Sequence, residues 1–270
     1  MKTVVITGSA RGFGYALAEV FRANDFNIVL CDISEKELRL AKEKIERTES
    51  CGKVITHYVD VTKEETITKL IDDTLECFPT IDIWINNAGI NQPNKPIWEL
   101  DKSSIDKLIE VDLKGTILCS KLIMPIMIKQ ASGQIYNVEG YGSNDAVSLG
   151  LSLYGTSKRA VTYFTEALAK ECEVMKTNVL IGKITPGIMI TDFITTSLGN
   201  GEKIELDEKT KKVYNILGDY PETIACFMVD KIINNKKNGV KFTWLTNFRA
   251  TIRFMTSAFN KRDFFSVKED

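Results

Sequence analysis

The stretch that most restricts the fold lies at the N-terminus. An apolar run, Thr3-Val4-Val5-Ile6-Thr7, leads directly into Gly8-Ser9-Ala10-Arg11-Gly12-Phe13-Gly14. Apolar residues at helical spacing follow: Tyr15, Leu17, Ala18, Val20 and Phe21. A short apolar run reads as a buried strand, and the spacing after it reads as an amphipathic helix. Glycines between them let the backbone turn sharply and come close to a pyrophosphate. The N-terminus of the helix adds free N–H groups and a partial positive charge. The competing reading is a plain tight turn between strand and helix.

The same alternation continues. Residues 27–32 read as a second strand ending in Asp32, and residues 34–50 as a charged amphipathic helix. Residues 53–59 form a third strand, and a helix over 62–78 is expected to be capped by Thr62. Residues 81–85 form a fourth strand that runs into Asn86-Asn87-Ala88-Gly89. There, side chains brace the neighbouring strand while small residues let a flat ligand approach. Alternating strands and helices imply an α/β fold, a single doubly wound parallel sheet with helices on both faces. Ligands then sit at the carboxyl ends of the strands. The 270 residues suit one such domain.

Asp32 lies about 20 residues beyond the glycine turn, where an acid accepts both ribose hydroxyls and repels a 2′-phosphate. It favours NAD, because a carboxylate against a phosphate is a repulsive element and not just a missing contact. Arg11 pulls toward NADP as the alternative, and Asp32 also reads as a cap of the next helix.

Further on, Tyr154-Gly155-Thr156-Ser157-Lys158 opens a run with Val161, Phe164 and Leu168 at helical spacing. Residues four apart share a helix face, so the phenol and the ammonium can point into one site. A phenol ionises near pH ~10, and a neighbouring cation lowers that value toward the range useful for proton transfer. Taken alone, the spacing equally describes a solvated helix face. Composition removes other classes. The net charge of −1 gives no electrostatic case for nucleic acid or an anionic membrane. The single histidine, His57, excludes a metal site built on several histidines and reads as a strand or surface residue. Six scattered cysteines with no Cys-x-x-Cys read as reduced thiols. No apolar run is long enough to span a bilayer and no signal peptide precedes the first strand, so the expected location is cytoplasmic.

With these pieces in place, the chain resembles the short-chain dehydrogenase/reductase family. The matching elements are Thr7-Gly8-x-x-x-Gly12-x-Gly14, Asp60-Val61, Asn86-Asn87-Ala88-Gly89, Tyr154-x-x-x-Lys158, and Pro186-Gly187 with Thr191. The resemblance implies a Rossmann-type domain that binds a nicotinamide cofactor. Gly8, Ser9, Arg11, Gly12, Phe13, Gly14, Asp32 and Ile33 would hold its adenosine and pyrophosphate. Asp60 and Val61 would lie against the adenine, and Asn87, Ala88 and Gly89 would line the cofactor. Tyr154 would be the acid/base. Lys158 would hold the nicotinamide ribose and lower the Tyr154 pKa. Pro186, Gly187, Ile188 and Thr191 would meet the nicotinamide end.

Two departures stand out. The family usually has an asparagine in the helix before the fifth strand. Here Val111-Asp112-Leu113-Lys114-Gly115 puts Asp112 in its place, a negative charge that would alter Lys158 if close. The fifth strand usually ends in two serines, the second polarising the substrate carbonyl. Here Gln134-Ile135-Tyr136-Asn137-Val138-Glu139-Gly140 ends in Glu139-Gly140. Ser143 is the candidate replacement, and it reads equally as a loop residue. The pattern Asn137-x-Glu139-Gly140-x-Gly142-Ser143, with Tyr220-Pro221-Glu222-Thr223 and Trp244-Leu245-Thr246, is similar to the chlorophyll b reductases of plants, a subgroup of the family. It implies reduction of a carbonyl on a bulky apolar molecule.

Residues of about 188–220 are expected to form a substrate lid, with a charged helix over 205–217; a surface excursion is the alternative. A helix should open at Pro221. The C-terminal extension, about 241–270, mixes Phe242, Trp244, Phe248, Phe254, Phe259, Phe264 and Phe265 with basic residues. It reads as a helix packed on the subunit or its neighbour, or alternatively as a membrane-surface or lipid contact. The expected protein is a homodimer or homotetramer that transfers hydride between a small-molecule carbonyl or alcohol and NAD(P). A non-catalytic cofactor-binding module is the alternative.

Overall fold

The computed structural model describes residues 1–195, 206–260 and 262–265. Parts of the expected lid (196–205) and of the C-terminal extension (261 and 266–270) lie outside the described residues.

Seven strands form one sheet: β1 (Thr3–Thr7), β2 (Asn27–Asp32), β3 (Val54–Tyr58), β4 (Ile83–Asn86), β5 (Gly133–Val138), β6 (Val179–Thr185) and β7 (Val240–Thr243). Their order is β3-β2-β1-β4-β5-β6-β7, and every pairing is parallel. The strand order reverses between β1 and β4, which opens a crevice at their carboxyl ends. The near-continuous apolar strands follow from burial on both faces. Alternation along each strand sorts the side chains into two cores. Val4, Ile6, Ile28, Leu30, Ile83 and Ile85 face one core, with α1 (Gly12–Ala23), α2 (Glu35–Ile45) and α9 (Pro221–Ile233). Val5, Val29, Trp84, Ile135 and Ile181 face the other, with α3 (Glu64–Cys77), α5 (Thr116–Gln130) and α6 (Ser152–Met175). The doubly wound α/β fold expected from the alternation is the one observed.

Local capping follows the sequence in one place and departs from it in another. Ser34 caps α2 by accepting the Glu37 N–H at 3.3 Å. Thr62 does not cap α3; Lys63 occupies the cap position, and no side-chain cap bond forms there. The reason is Asp60, whose Oδ1 accepts both the Thr62 N–H at 2.9 Å and its hydroxyl at 2.7 Å. A carboxylate two residues upstream outcompetes the helix for that hydroxyl. Between α4 (Lys102–Leu108) and α5 the backbone widens into a π-helical turn, Ile109–Gly115. Turns of this kind recur at functional sites, and this one carries Asp112.

Within the expected lid, α7 (Asp192–Thr195) and α8 (Glu208–Leu217) precede α9. The C-terminal α10 (Asn247–Thr256) lies against α8. It docks through its cations: the Arg249 guanidinium stacks 3.8 Å from the Trp244 ring centroid, and Arg253 pairs with Asp219 at 2.7 Å. Phe248, Met255 and Phe259 face outward. None of the described helices is long and apolar enough to cross a membrane.

Candidate active site

The glycine turn lies at the carboxyl end of β1, against the segment that follows β4. Gly8 has φ +62°, and a Cβ there would lie 2.8 Å from Ala88 Cα. Only glycine permits both that backbone conformation and that approach. A Cβ on Gly14 would lie 2.4 Å from Gly8 O, so the helix start also packs bare backbone against the turn. Ser9 Oγ accepts the Cys31 N–H at 3.0 Å. Asp32 is committed on both oxygens: Oδ2 accepts from Ala10 N and Oδ1 from Ser34 N, each at 3.2 Å. It therefore clamps the glycine turn to the start of α2. Arg11 and Ile33 are exposed beside it, and Phe13 is buried beneath.

Asn87 ties β4 to the turn. Its side-chain amide donates to Thr7 O at 3.0 Å and Gly8 O at 2.9 Å, while the N–H groups of Asn87 and Ala88 both donate to Thr7 Oγ1 at 3.0 Å. Asn86 donates to Asn137 Oδ1 at 2.7 Å and Ser120 Oγ at 3.0 Å, joining β4, β5 and α5. Asp60 is half-buried, and Val61 packs into the core against Gly115.

Tyr154 and Lys158 occupy one face of the first turns of α6, both nearly buried. The Lys158 ammonium lies 5.5 Å from the Tyr154 ring centroid. Asp112 reaches the same point from the π-helical turn. Its Oδ1 accepts the Ile90 N–H at 2.8 Å, and its Oδ2 stands 3.0 Å from Lys158 Nζ. Asp112 is wholly buried, and its Oδ2 faces the Lys158 ammonium as its polar partner. Gly89 closes over the pair; a Cβ there would be 3.4 Å from both charges. Burial pushes the Lys158 ammonium toward neutrality, but Asp112 and Tyr154 outweigh it and hold its pKa up. Burial also pushes the Tyr154 phenol up; Lys158 opposes this, and Asp112 and Tyr214 add to it. The cation does lower the phenol, as the sequence suggests. The net direction is nevertheless upward, because desolvation of a phenolate and the carboxylate behind the lysine count against it.

Two further residues hold this geometry: Gln92, which no motif singled out, and Glu139, which the sequence pattern marked only as standing where the family has a serine. Gln92, buried on the loop after β4, accepts the Tyr154 N–H at 2.8 Å and donates to Gly150 O. It serves as a remote cap for α6, whose own cap position makes no side-chain bond. Glu139, at the end of β5, accepts Thr162 Oγ1 at 2.8 Å and Thr185 Oγ1 at 2.6 Å, and pairs with Lys241 at 2.7 Å. It joins α6, β6 and β7 one turn beyond Lys158. Replacing Glu139 by Leu would take that acceptor from Thr185 and Lys241, while Thr162 keeps the Lys158 carbonyl at 3.1 Å. A loss of about 2–3 kcal/mol is expected, and a thermal melt should show Tm lower by roughly 5–10 °C. An unchanged Tm would rule out a structural contribution from this network.

Next in the chain, Gly140 packs directly on Tyr154, and a Cβ there would fall 2.2 Å from the phenol oxygen. Ser143 is buried in the same loop, its Oγ accepting the Gly140 N–H at 3.2 Å. Across the crevice, Pro186 is buried, Gly187 has φ +79°, and Thr191 faces the glycine turn, its Cγ2 lying 4.0 Å from a Cβ position on Gly12. Ile188 O accepts the Asp219 N–H at 3.1 Å. Phe193 lies 6.2 Å from Tyr154 by ring centroids. Asp219 anchors the base of this segment, taking the Trp244 indole N–H at 2.6 Å and pairing with Arg253 and Arg262. In sequence it is an ordinary residue before a helix, and its partners lie too far downstream for any local pattern to find.

The fold and this cluster define a nicotinamide-type α/β crevice with a buried tyrosine–lysine pair. Residues 2–200 match the family of the short chain dehydrogenases, and the chain belongs to that family. A probable chloroplastic chlorophyll(ide) b reductase of Arabidopsis thaliana is 32% identical over 95% of this chain and 53% of its own length. The chain is related to that group, and it spans about half the length of the first curated relatives it matches. An NAD⁺-bound xylitol dehydrogenase shares the fold with a TM-score of 0.77 at 20% identity, covering 90% of this chain and 96% of that one. A metagenomic short-chain oxidoreductase in complex with NADP shares it with a TM-score of 0.71 at 20% identity, over 90% and 95%.

Proposed function

We propose that this chain is an NAD(P)-dependent oxidoreductase that interconverts a carbonyl and an alcohol on a bulky apolar molecule, with Tyr154 as acid/base. The observation that carries this reading is the buried Tyr154–Lys158 pair on α6, set beside a glycine cradle open to a dinucleotide. Gly8 and Gly14 leave the space that side chains would fill, and the start of α1 directs its free N–H groups to that space. The residues present therefore fit a nicotinamide cofactor. Gly8, Ser9, Arg11, Gly12, Phe13 and Gly14 would hold its pyrophosphate, Asp32 and Ile33 the adenosine ribose, and Asp60 and Val61 the adenine. Asn87, Ala88, Gly89, Pro186, Gly187, Ile188 and Thr191 would line the nicotinamide end. When bound, the cofactor supplies or accepts the hydride.

In the reductive direction Tyr154 donates its proton to the developing alkoxide, and Lys158 stabilises the phenolate left behind. Ser143 orients the carbonyl: its oxygen already accepts from Gly140, which leaves its own proton to give to a substrate oxygen. Exposed apolar side chains support a bulky substrate: Val147 and Leu149 are largely exposed on the segment leading into α6, which Gln92 holds at Gly150, and Trp98 is largely exposed in the short 3-10 turn Ile97–Glu99. The named activity of the plant relatives agrees with a large apolar carbonyl compound. The test is oxidation of NADH and NADPH across a panel of aldehydes, ketones and enones, from short-chain to polycyclic. Turnover that rises with apolar size supports the reading, and no turnover with any member sinks it.

NAD is the favoured cofactor, because the Asp32 carboxylate stands at the mouth of the glycine turn. Changing Asp32 to Ala is expected to improve NADPH binding at least ~10-fold relative to NADH, read by fluorescence titration. An unchanged ratio would reduce Asp32 to a clamp on Ala10 and Ser34. The family resemblance and the free thiols favour a homodimer or homotetramer of the cytoplasm, which sedimentation and fractionation would check. A non-catalytic cofactor-binding module is the second reading. Gly140 favours it, since glycine stands where the family's carbonyl-orienting serine would be. Cofactor binding without turnover of any panel member would establish it.

A further inference from the structure

The buried cluster contains one charge more than a tyrosine–lysine pair needs. Asp112 is fully buried, its Oδ2 is 3.0 Å from Lys158 Nζ, and its Oδ1 is held by the Ile90 N–H. Burial pushes the Asp112 carboxyl up, while the Lys158 ammonium and the Ile90 N–H oppose this and favour the carboxylate form. The ammonium that would otherwise act on Tyr154 alone is thus shared with a carboxylate in a site that water screens poorly. We propose that Asp112 sets the pH at which this site exchanges its proton, keeping Tyr154 a phenol into the alkaline range. The site is therefore armed as a proton donor near neutrality and as a base only at high pH. This rests on the acid/base role proposed for Tyr154.

The charge census around the phenol is short. Among the described residues, α6 contributes Lys158, the π-helical turn contributes Asp112, and α8 contributes the Tyr214 phenol. The β5 loop presents the Gly140 backbone, and α7 presents the Phe193 ring. The buried Gln92 side chain meets Tyr154 only at its backbone N–H. Arg159, one residue after Lys158, is turned away to Ser143 O and Asp145. The balance at Tyr154 is therefore set by burial first, with the Asp112 carboxylate and the Tyr214 phenol on the same side, against the single Lys158 cation, and the upward direction of its pKa agrees with that balance. The three groups titrate as one coupled system, so the useful readout is one that sees tyrosinate itself.

The chemistry gives a sign. Oxidation of an alcohol needs the phenolate, so its rate should rise with pH through the Tyr154 ionisation. Reduction needs the phenol and should fall over the same range. Replacing Asp112 by Asn keeps the shape and the acceptor for Ile90 while removing the charge. Tyr154 should then lose its proton ~1–3 pH units lower, and both limbs should move down with it.

The experiment is an ultraviolet tyrosinate titration of the full chain, with Tyr154→Phe subtracted so that only the Tyr154 component remains. It is run in the wild type and in Asp112→Asn, without any substrate. A Tyr154 component that titrates above the ordinary ~10 in the wild type, and at least one pH unit lower in Asp112→Asn, supports the proposal. The same midpoint in both overturns it. If Asp112→Asn does not fold, the wild type still decides, because a Tyr154 component that ionises below pH ~9 overturns the proposal alone. The kinetic arm repeats the comparison with whichever panel carbonyl is turned over. If none is, the carbonyl-reductase reading fails, while the tyrosinate titration still judges Asp112.

Discussion

Tyr154→Phe is expected to leave NADH binding nearly intact and to cut turnover by ~10²–10⁴. The substitution removes one oxygen from a buried ring and little else. The ring keeps its place against Phe193 and the Leu153 cluster, and the crowding against Gly140 is relieved rather than increased. Lys158 retains Asp112 at 3.0 Å, so its charge stays paired. The variant should fold and melt like the parent, which makes kcat the clean readout. Loss of turnover with unchanged cofactor affinity assigns the proton to Tyr154. Retained turnover would move the acid/base role elsewhere, with Tyr214 on α8 the next phenol to test.

The second large effect runs against the family pattern. Placing a serine at Gly140, where the family's usual serine would stand, is expected to damage the site rather than improve it. A Cβ there would be 2.2 Å from the Tyr154 oxygen, 2.9 Å from Cζ and 3.1 Å from Lys158 Cγ. Something must shift, and the phenol is the nearest group. Overpacking of this kind costs ~1–3 kcal/mol of stability. A displacement of about 1 Å at a reacting group costs ~10²-fold in rate. Gly140→Ala carries the same Cβ without the hydroxyl and separates the two effects. Equal losses in both variants assign the damage to the Cβ. A gain confined to Gly140→Ser would mean that the ring moves aside and that the missing serine is restored.

The loss of that serine position and the presence of Asp112 belong to one site. A glycine lets the phenol sit tight against the β5 loop, where desolvation raises its pKa. Asp112 then blunts the cation that would lower it. Under the acid/base role proposed for Tyr154, both changes favour proton donation at neutral pH over proton abstraction. Gln92 and Glu139 keep the helix that carries Tyr154 and Lys158 in register, one from its N-terminal turn and the other from a turn beyond the lysine.

Much of this was legible in the residues because it depends on short-range periodicity. The two-residue period of the strands, the 3.6-residue period of α1 and α6, and the glycines between β1 and α1 are local features, and they dictate a parallel sheet with a crevice at its switch point. The four-residue spacing of Tyr154 and Lys158 likewise requires only a helix. Thr62 marks where local reading fails, since its hydroxyl had a better acceptor two residues upstream than in the helix ahead. The contacts of Asp219 with Trp244, Arg253 and Arg262, of Gln92 with the start of α6, and of Glu139 with Lys241 join segments far apart in the chain. The sequence by itself determined the sheet, the cradle and the face that pairs a phenol with a cation. Tertiary structure decided which way that phenol's proton is held, because a pKa depends on the distance to every nearby charge and on the water excluded from around it, and neither quantity is written in the order of the residues.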